Sequence, residues 1–574
     1  MRHGIRRFPA LWRATRLARR WYHARHGAYP DWTGLLSAPG EAELWRAAKA
    51  SAQGGPRVLI ATAIGSYAHA VTLESALAMA LTFRHAEVHV LLCDGTLTAC
   101  AECEASLYPD LASFAQNGPA KDLCRDCLWP AEKVYSDLGI TVHRLGTWLH
   151  QEDRAQARAI ATTIPAGAIE SYVFEGMAVG EHAHAGALRF FATGSLEGEQ
   201  HGEAILRRYL ESALLTALAS RRLMRAITFT SVVLTHGIYV PWGIVGEVAR
   251  REGVHLSTWN VAYRKRRFIF SHDDTYHHTL LSEPVEHWQD TPLSDEQEQE
   301  LMKYLQSRRE GLFDWIVFHR PTRHDAHEVA SGLGLDPAKK TIGLLTNVAW
   351  DAQLHYPANA FPNMLEWLVQ TCEYFATRPD LQLLIRVHPA EISGFPPSRQ
   401  PILRELRKRL PTLPSNIFVV PPESGVSSYT LMSLCNAAII YGTKMGVELT
   451  SVGLPVIVAG EAWIRNKGLT FDATAPDEYF RLLDRLPFAT GLSDAQVRRA
   501  RRYAYHFFFN RMIPLPFIEP KAGYPIYRLK LERVAHLLPG ESEGLDTICN
   551  GILGHAPFVL HATTTAQVAE PVAP

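Results

Sequence analysis

Four cysteines stand in two closely spaced pairs in the N-terminal half of the chain. Cys100 and Cys103 form the first pair, Cys124 and Cys127 form the second, and twenty residues separate the pairs. Two such C-x2-C turns are the usual way to aim four thiolates at one tetrahedral metal ion, so the spacing predicts Zn2+. Four closed ligands leave no position for a substrate, and we therefore expect a structural zinc that folds an insertion at 93–130. Free surface thiols, a redox pair and an iron–sulfur cluster are the alternatives.

Polar residues follow two apolar segments in the C-terminal half. His388 ends the first segment before a proline, which places its imidazole at a sheet edge where it can donate to phosphate oxygens. The run Gly442-Thr443-Lys444 follows the second segment and opens a helix, so its backbone N–H groups, hydroxyl and charge suit an anion. Glu448 lies one helical turn further on and is placed to accept from ribose hydroxyls. The alternatives are a structural histidine and a tight turn with a solvated Lys/Glu pair.

A second polar loop follows the last apolar segment of this half and contains Arg465 and Lys467. Two cations in a loop at a strand end can close over a charged ligand. We therefore expect both side chains to bind a ligand together with His388. A solvated surface loop is the alternative.

Short apolar, β-branched segments alternate with helical patterns throughout the chain and supply the elements that must position these residues. That alternation predicts an α/β fold with parallel sheets covered on both faces, in two Rossmann-like halves that bind ligand at the carboxyl ends of their strands. The predicted strands are 57–65, 87–93, 231–235 and 255–260 in the first half and 341–346, 381–387, 417–420, 437–441 and 455–459 in the second.

The same pattern divides the chain into five regions. They are a basic amphipathic arm and linker at 1–40, an N-terminal Rossmann-like domain at 41–335, a C-terminal Rossmann-like domain at 336–490, C-terminal helices at 491–560 and a disordered tail at 561–574. The tail prediction rests on its Ala, Thr, Val and Pro content and its terminal position.

The net charge of this 574-residue chain is zero, but that total is a cancellation. Residues 1–30 contain eight arginines and no acidic residue, which leaves a balance of −8 for the remainder. A neutral total argues against a nucleic-acid binder, which is normally basic. The arm suits an anionic membrane surface, although a solvated helix explains it equally well. Without a spanning segment or a secretory signal, we expect a cytoplasmic protein, peripheral at the inner membrane.

Several of these motifs occur in an order that resembles the bacterial capsule polysaccharide biosynthesis family, whose members are similar to GT-B glycosyltransferases. The resemblance is best over 340–485. The matching motifs are His388-Pro389, Tyr441-Gly-Thr-x-x-Gly-x-Glu448, Gly453-x-Pro-Val-Ile-Val-x-Gly460 and Lys467-Gly468, with His236-Gly237 and Pro241-x-Gly243 in the first half.

The resemblance implies two domains facing across a cleft, with a nucleotide-sugar donor held by the C-terminal one. By that likeness His388 contacts the donor phosphate, Thr443 and nearby backbone hold phosphate, and Glu448 holds the ribose. The family often has a serine pair where this chain has Gly442-Thr443, which leaves the nucleotide open. CMP-linked Kdo is one donor known in the family. The acceptor would be a glycan or a lipid-linked sugar.

Sugar transfer to a hydroxyl needs a general base, and leaving-group charge can be stabilised by basic side chains without a metal. His236, at the end of a predicted strand, is the first candidate for the base. Asp351 is the second, and Glu181, beside His182, is the third. Each residue type in such a position is more often structural than catalytic.

Two other functions are compatible with the sequence. One is a nucleotide-sugar 2-epimerase, which can share the two-domain architecture and needs no acceptor. The other is a non-catalytic, zinc-containing scaffold that recruits a polysaccharide assembly complex to the membrane. Convergence of His388, Thr443 and Glu448 on one site would favour an enzyme over the scaffold.

Overall fold

The computed structural model describes residues 15, 18, 27–108, 110–310, 314–315, 325–354, 357–394 and 396–560. These residues form two compact units. Unit 1 consists of the described residues of Met1–Phe191, Leu196–Tyr276 and Phe509–Pro574, and unit 2 of those of Ala192–Ser195 and His277–Phe508. Residues 1–26 of the predicted arm and linker at 1–40, apart from residues 15 and 18, and the predicted tail at 561–574 lie outside the described residues.

Helices and strands alternate along both units. The strands are β1 (Arg57–Ala63), β2 (Glu87–Leu92), β3 (Thr141–Arg144), β4 (Ser231–Thr235), β5 (His255–Val261), β6 (Arg267–His272), β7 (Lys340–Leu345), β8 (Leu381–Arg386), β9 (Ile417–Val420), β10 (Ala437–Ile440), β11 (Val456–Val458), β12 (Phe471–Asp472), β13 (Ile513–Pro514), β14 (Ile518–Pro520) and β15 (Tyr527–Leu529). The α-helices are α1 (Trp32–Leu36), α2 (Glu41–Ala52), α3 (Ala68–Thr82), α4 (Leu111–Asn117), α5 (Lys121–Asp137), α6 (Gln151–Thr163), α7 (Val179–Phe191), α8 (Gly202–Ala226), α9 (Trp242–Arg251), α10 (Tyr276–Leu281), α11 (Asp295–Glu310), α12 (Ala326–Leu333), α13 (Met364–Ala376), α14 (Ala390–Ser393), α15 (Ile402–Arg409), α16 (Ser428–Ser433), α17 (Met445–Ser451), α18 (Pro476–Leu483), α19 (Asp494–Tyr505) and α20 (Glu543–Gly554).

The sheet of unit 1 has the strand order β13-β6-β5-β4-β1-β2-β3. Its strands β1 to β5 are parallel to their neighbours, whereas β6 and β13 add an antiparallel edge. The central strands are almost continuously apolar because the sheet is covered on both faces; β4 is buried along its whole length. The first strand in sequence lies beside the fourth, which is the order of a Rossmann fold.

The sheet of unit 2 repeats this arrangement with the order β12-β11-β10-β7-β8-β9, all parallel. Its first strand, β7, again lies beside its fourth, β10. Trp367 of α13 and Ile439 of β10 belong to one buried apolar cluster around this sheet. The prediction of an α/β chain with two Rossmann-like halves and parallel sheets is therefore confirmed.

The two units do not meet at the predicted domain boundaries, 335 and 490, because the main segment of unit 2 runs from His277 to Phe508. Helix α11 belongs to unit 2, where Arg501 of α19 forms an ion pair with Glu298. The chain after residue 508 returns to unit 1, where β13 pairs with β6 and the Ser231 hydroxyl donates to the Ile552 carbonyl at 2.7 Å. The region 491–560 therefore contains strands as well as helices.

The cysteine segment is not the separate insertion that was predicted. Its second half is α5, which connects β2 to the parallel strand β3 and buries Leu123, Val134 and Tyr135. Cys124 and Cys127 thus lie on a crossover helix of the sheet, which has a core of its own to fold against. None of the helices in the described part of the chain combines the length and apolarity that crossing a bilayer requires.

A carboxyl group is buried in the core of unit 1. Glu74 of α3 is fully buried, and its Oε1 accepts a hydrogen bond from the Trp259 indole at 2.9 Å. Burial raises the pKa of Glu74 to about 7. Its folded-state pKa therefore lies above the unfolded value, so stability falls as pH rises from the unfolded pKa towards 7.

We predict that Glu74→Gln removes this pH dependence, because the amide is uncharged at every pH and keeps an oxygen for Trp259. Relative to Glu74→Gln, the wild-type free energy of unfolding should fall by about 3 kcal/mol between pH 5 and pH 8. Urea unfolding at both pH values measures the difference, with the exposed Glu43→Gln of α2 as the control. Parallel pH profiles for wild type and Glu74→Gln would contradict the prediction.

Candidate functional site

Three strand ends of unit 2 bring polar residues to one edge of the sheet. The His388 N–H, after β8, donates to the hydroxyl of Thr346, after β7, at 3.0 Å. Gly442, after β10, approaches Asn347 so closely that a Cβ built on it would lie 3.2 Å from the amide nitrogen of Asn347. Since β7 and β10 are the strands where the order reverses, these residues border the crevice where such sheets bind ligands.

The imidazole of His388 is held in one tautomer. The Ala390 N–H donates to its Nδ1 at 3.1 Å, which leaves the proton of the neutral ring on Nε2. Burial, with the positive charges of Lys444 and Arg386 nearby, lowers the pKa of His388 to about 4. At neutral pH the ring is therefore an uncharged hydrogen-bond donor through Nε2.

Lys444 and Glu448 form an ion pair instead of pointing to solvent. The Lys444 Nζ donates to Glu448 Oε1 at 3.1 Å, and the carboxylate is only 3% exposed. Its other oxygen accepts from the Tyr429 hydroxyl at 2.5 Å and from Arg308 Nε at 3.1 Å. Burial alone would raise the pKa of Glu448. The charges of Arg308 and Lys444 and the hydrogen bond from Tyr429 instead hold this pKa at about 2. Glu448 thus anchors a cationic group, a different placement from the predicted ribose contact.

Arg308 is a member of this buried network that the sequence did not indicate. It lies on α11, 140 residues before Glu448, and its guanidinium also contacts Asp314 and the Tyr304 hydroxyl, the latter at 2.8 Å. Two cations and two carboxylates therefore share one buried cluster and balance each other. The only signal in the sequence was an arginine near the end of a helix, which is an ordinary surface pattern.

The other predicted donor-binding residues lie in different surroundings. Thr443 accepts from the Met445 N–H at 3.4 Å at the start of α17. Arg465 is 1% exposed, and its guanidinium donates to the Gly460 and Ala473 carbonyls at 3.1 and 2.7 Å. Lys467 donates to the Leu281 carbonyl at 2.8 Å, and burial lowers its pKa to about 8. Arg465 therefore braces its own loop, whereas Lys467 ties that loop to the end of α10.

In unit 1 the reversal of strand order falls between β1 and β4, and both strands end in unusual backbone. Ala63 and His236 have φ values of 53° and 65°. Non-glycine residues in this region cost free energy and cluster at functional sites. His236 Nδ1 is buried without a hydrogen-bond partner in the described residues. Burial and the charge of Arg189 lower the pKa of His236 to about 3, so the free protein holds a weak proton acceptor there.

Arg189 is the cation next to His236 and was not singled out from the sequence. Its guanidinium donates to the Ala101 carbonyl at 2.5 Å and to the Tyr67 hydroxyl at 3.3 Å, and it lies 5.4 Å from the Tyr239 ring centroid. It therefore ties the cysteine loop to the segments that follow β1 and β4. Its helix, α7, also contains Glu181, His182 and His184, so one more polar residue gave no distinct signal in the sequence.

The remaining candidates for the general base are dispersed. Asp351 is exposed in the turn after β7. Glu181 lies in the first turn of α7 and is partly exposed. Its neighbour His182 is buried, and its Nδ1 bonds the Ile238 carbonyl at 2.5 Å, so this histidine connects α7 to the segment after β4. Asp351 lies in unit 2 and Glu181 in unit 1.

The four cysteines lie near the carboxyl end of the unit 1 sheet. The Cys100 and Cys103 sulfurs are 3.8 Å apart, close to the edge of a tetrahedron with Zn–S bonds of about 2.3 Å. Cys127 instead accepts from the Ser66 N–H at 3.3 Å. In the described part of the chain, no three potential ligands are grouped as a metal site requires. One pair therefore fits zinc, and the two pairs are not assembled around one centre.

Comparisons with known proteins give structural neighbours alone. No protein-family model and no curated protein matches the chain. The similar solved structures include two proteins from Thermosulfurimonas dismutans. KpsC beta Kdo 2,4 transferase has 12% identity, with 54% of this chain and 87% of that one covered and a TM-score of 0.34. KpsC beta Kdo 2,7 transferase has 15% identity, with 56% of this chain and 88% of that one covered and a TM-score of 0.30. They also include UDP-GlcNAc 2-epimerase from Neisseria meningitidis, with 10% identity, 78% of this chain and 95% of that one covered, and a TM-score of 0.25. The TM-scores of these three structures lie below 0.5, and the fold description rests on the strand orders.

We predict that Glu448→Gln is strongly destabilising, because it leaves Arg308 and Lys444 buried without their shared counter-charge. Removing one partner of a buried ion pair costs about 3–5 kcal/mol. Urea unfolding compared with Glu373→Gln, an exposed change on α13, measures the difference. An unfolding midpoint equal to that of the control would show that Glu448 is not held by this network.

The zinc prediction is tested by metal content. If the four thiolates bind one ion, freshly purified protein should contain about one zinc per chain. Cys100→Ser and Cys124→Ser should each lose most of it, whereas Cys372→Ser on α13 should not. Protein without metal, or serine variants that keep a full complement, would contradict the prediction.

Proposed function

We propose that this protein is a glycosyltransferase that transfers a sugar from a nucleotide-sugar donor to a glycan or lipid-linked acceptor. The observation that carries the proposal is the group of donors at the strand-order reversal of unit 2: the Nε2–H of His388, the hydroxyl of Thr443 and the ammonium of Lys444. Ligands of doubly wound sheets bind in this crevice. The ordered motifs of the sequence support the same assignment.

The phosphate of the donor nucleotide is the part of the substrate that these groups would hold. Lys444 brings a positive charge that Glu448 orients at 3.1 Å, and His388 offers a neutral donor whose tautomer Ala390 sets. Gly442 has no side chain to obstruct a phosphate beside Asn347. Asn347 Oδ1 is buried with no hydrogen-bond partner in the described residues, so it suits a hydroxyl or amide donor of the ligand. These fixed groups would stabilise the negative charge that develops on the leaving nucleotide.

The acceptor side of the proposal lies in unit 1, at the end of β4. His236 is neutral at physiological pH, and its Nδ1, which has no hydrogen-bond partner among the described residues, can accept a hydrogen bond from an acceptor hydroxyl. Its pKa near 3 makes it a better orienting group than general base in the free protein. Asp351 and Glu181 stay proposals for the base. CMP-Kdo as donor, a cleft between the two domains and contact of the arm with the inner membrane are likewise proposals.

Titration with nucleotides and nucleotide sugars tests the donor site. We expect saturable binding to the wild-type protein, followed by calorimetry or by thermal stabilisation. His388→Ala should weaken it by about tenfold or more, since it removes a hydrogen bond to a charged group. His327→Ala, an exposed histidine on α12 of unit 2, is the control. No binding of any nucleotide sugar, or equal binding by both variants, would contradict the proposal.

Product analysis separates transfer from epimerisation. A transferase releases nucleotide only when an acceptor is present, whereas a 2-epimerase converts the nucleotide sugar with no acceptor. Donor binding without either reaction, over a panel of glycan and lipid-linked acceptors, would favour the scaffold.

A further inference from the structure

Unit 2 contains a cavity of about 490 Å³ on the opposite edge of its sheet from His388. The cavity lies among α11, α16 and α17 and reaches the residues that precede β10 and β11, Asn436 and Pro455. Its volume is typical of sites that hold a small organic molecule, about 300–1,000 Å³. One lining residue, Glu448, also orients Lys444 of the proposed donor site, whereas His388, Thr443 and Lys444 are not among the described lining residues.

Most polar atoms in the wall of this cavity already have partners inside the protein. The Glu448 carboxylate is engaged by Arg308, Lys444 and Tyr429. The Asn436 side chain exchanges two hydrogen bonds with the backbone of Phe488, each 3.0 Å long. The interior therefore offers an occupant mainly apolar surface. That surface comes from Met302, Leu305, Met432, Leu449, Val452 and Leu454.

The mouth of the cavity combines apolar and cationic surface. Val452 is 47% exposed, which is unusual for a large aliphatic side chain, and it lines the cavity beside the exposed Gln306. Arg309 is exposed on α11, and its guanidinium lies 5.7 Å from the Tyr429 ring centroid. Arg309 is the one cation among the described lining residues. An occupant would thus meet apolar walls inside and a positive charge at the rim.

We propose that this cavity binds an amphipathic anion, a single alkyl chain that carries a phosphate or a carboxylate head. The chain would fill the apolar interior, where the unbranched Met302 and Met432 side chains can adapt to its shape. The head would meet Arg309, which recognises either group through its guanidinium. The inference does not rest on the proposed function, although Glu448 both lines the cavity and orients Lys444.

Binding of decyl phosphate and decanoate below their micelle concentrations tests the proposal in the full-length protein. Two tryptophan variants block the cavity from exposed positions, Val452→Trp and Ser433→Trp, so that one remains informative if the other fails to fold. Arg309→Gln removes the cation, and Arg407→Gln, an exposed arginine of α15, is its matched control. Decyltrimethylammonium tests the sign of the charge, and unfolding midpoints check that each variant is folded.

We expect one decyl phosphate or decanoate to bind per chain, at least tenfold more weakly in the tryptophan variants and about fivefold more weakly in Arg309→Gln. Comparison of the two anions identifies the head group that is preferred. Non-saturable binding, unchanged affinity in both folded tryptophan variants, or equal binding of the cationic detergent would overturn the proposal. Loss of nucleotide binding in the tryptophan variants would also overturn it, because the cavity would then belong to the donor site.

Discussion

The strand order of each sheet is the constraint on which the rest of the structure depends. In both units the first strand lies between the second and the fourth, so the connections that leave the adjacent first and fourth strands run in opposite directions along the sheet. The loops at the carboxyl ends of β7 and β10 therefore diverge and leave a crevice that backbone and side-chain donors border. His388, Asn347 and Gly442 meet there although nearly one hundred residues separate the outermost two in sequence. The same geometry in unit 1 brings His236 and the segment after β1 to one edge.

Burial of charge is the second feature that shapes the candidate site. Lys444 would lose most of its hydration in this position, and Glu448 offsets that loss only because Arg308 and Tyr429 hold the carboxylate in turn. Buried ion pairs contribute little net stability, since desolvation offsets much of the attraction, but they fix geometry. The network therefore sets the position of one ammonium group at a strand end. In unit 1, burial and the nearby charge of Arg189 lower the pKa of His236 and keep its ring neutral.

The elements of this fold could be predicted well from the sequence, and the contacts within the site only in part. The apolar, β-branched runs at 231–235 and 437–441 are strands because full burial suits such residues, and polar residues after a strand reach the ligand edge by topology alone. Arg308 could not be found in this way, because its pairing with Glu448 joins distant segments.

Polar loops and mixed helices account for the other differences. Arg465 and Lys467 look like ligand-binding cations in sequence, yet both donate hydrogen bonds to backbone carbonyls. Cys124 and Cys127 look like part of an insertion, because the many polar residues of α5 make its apolar, buried face hard to recognise in the sequence. In each case the sequence shows the residue type, whereas tertiary contacts decide which partner it meets.

The central claim is that the strand ends of unit 2 hold the phosphates of a nucleotide sugar. A crystal structure of the full-length protein with its preferred nucleotide sugar tests that claim most directly. We expect phosphate oxygens within hydrogen-bond distance, about 3 Å, of His388 Nε2, the Thr443 hydroxyl and Lys444 Nζ. A nucleotide bound away from these groups, with the Lys444–Glu448 pair untouched by phosphate, would contradict it.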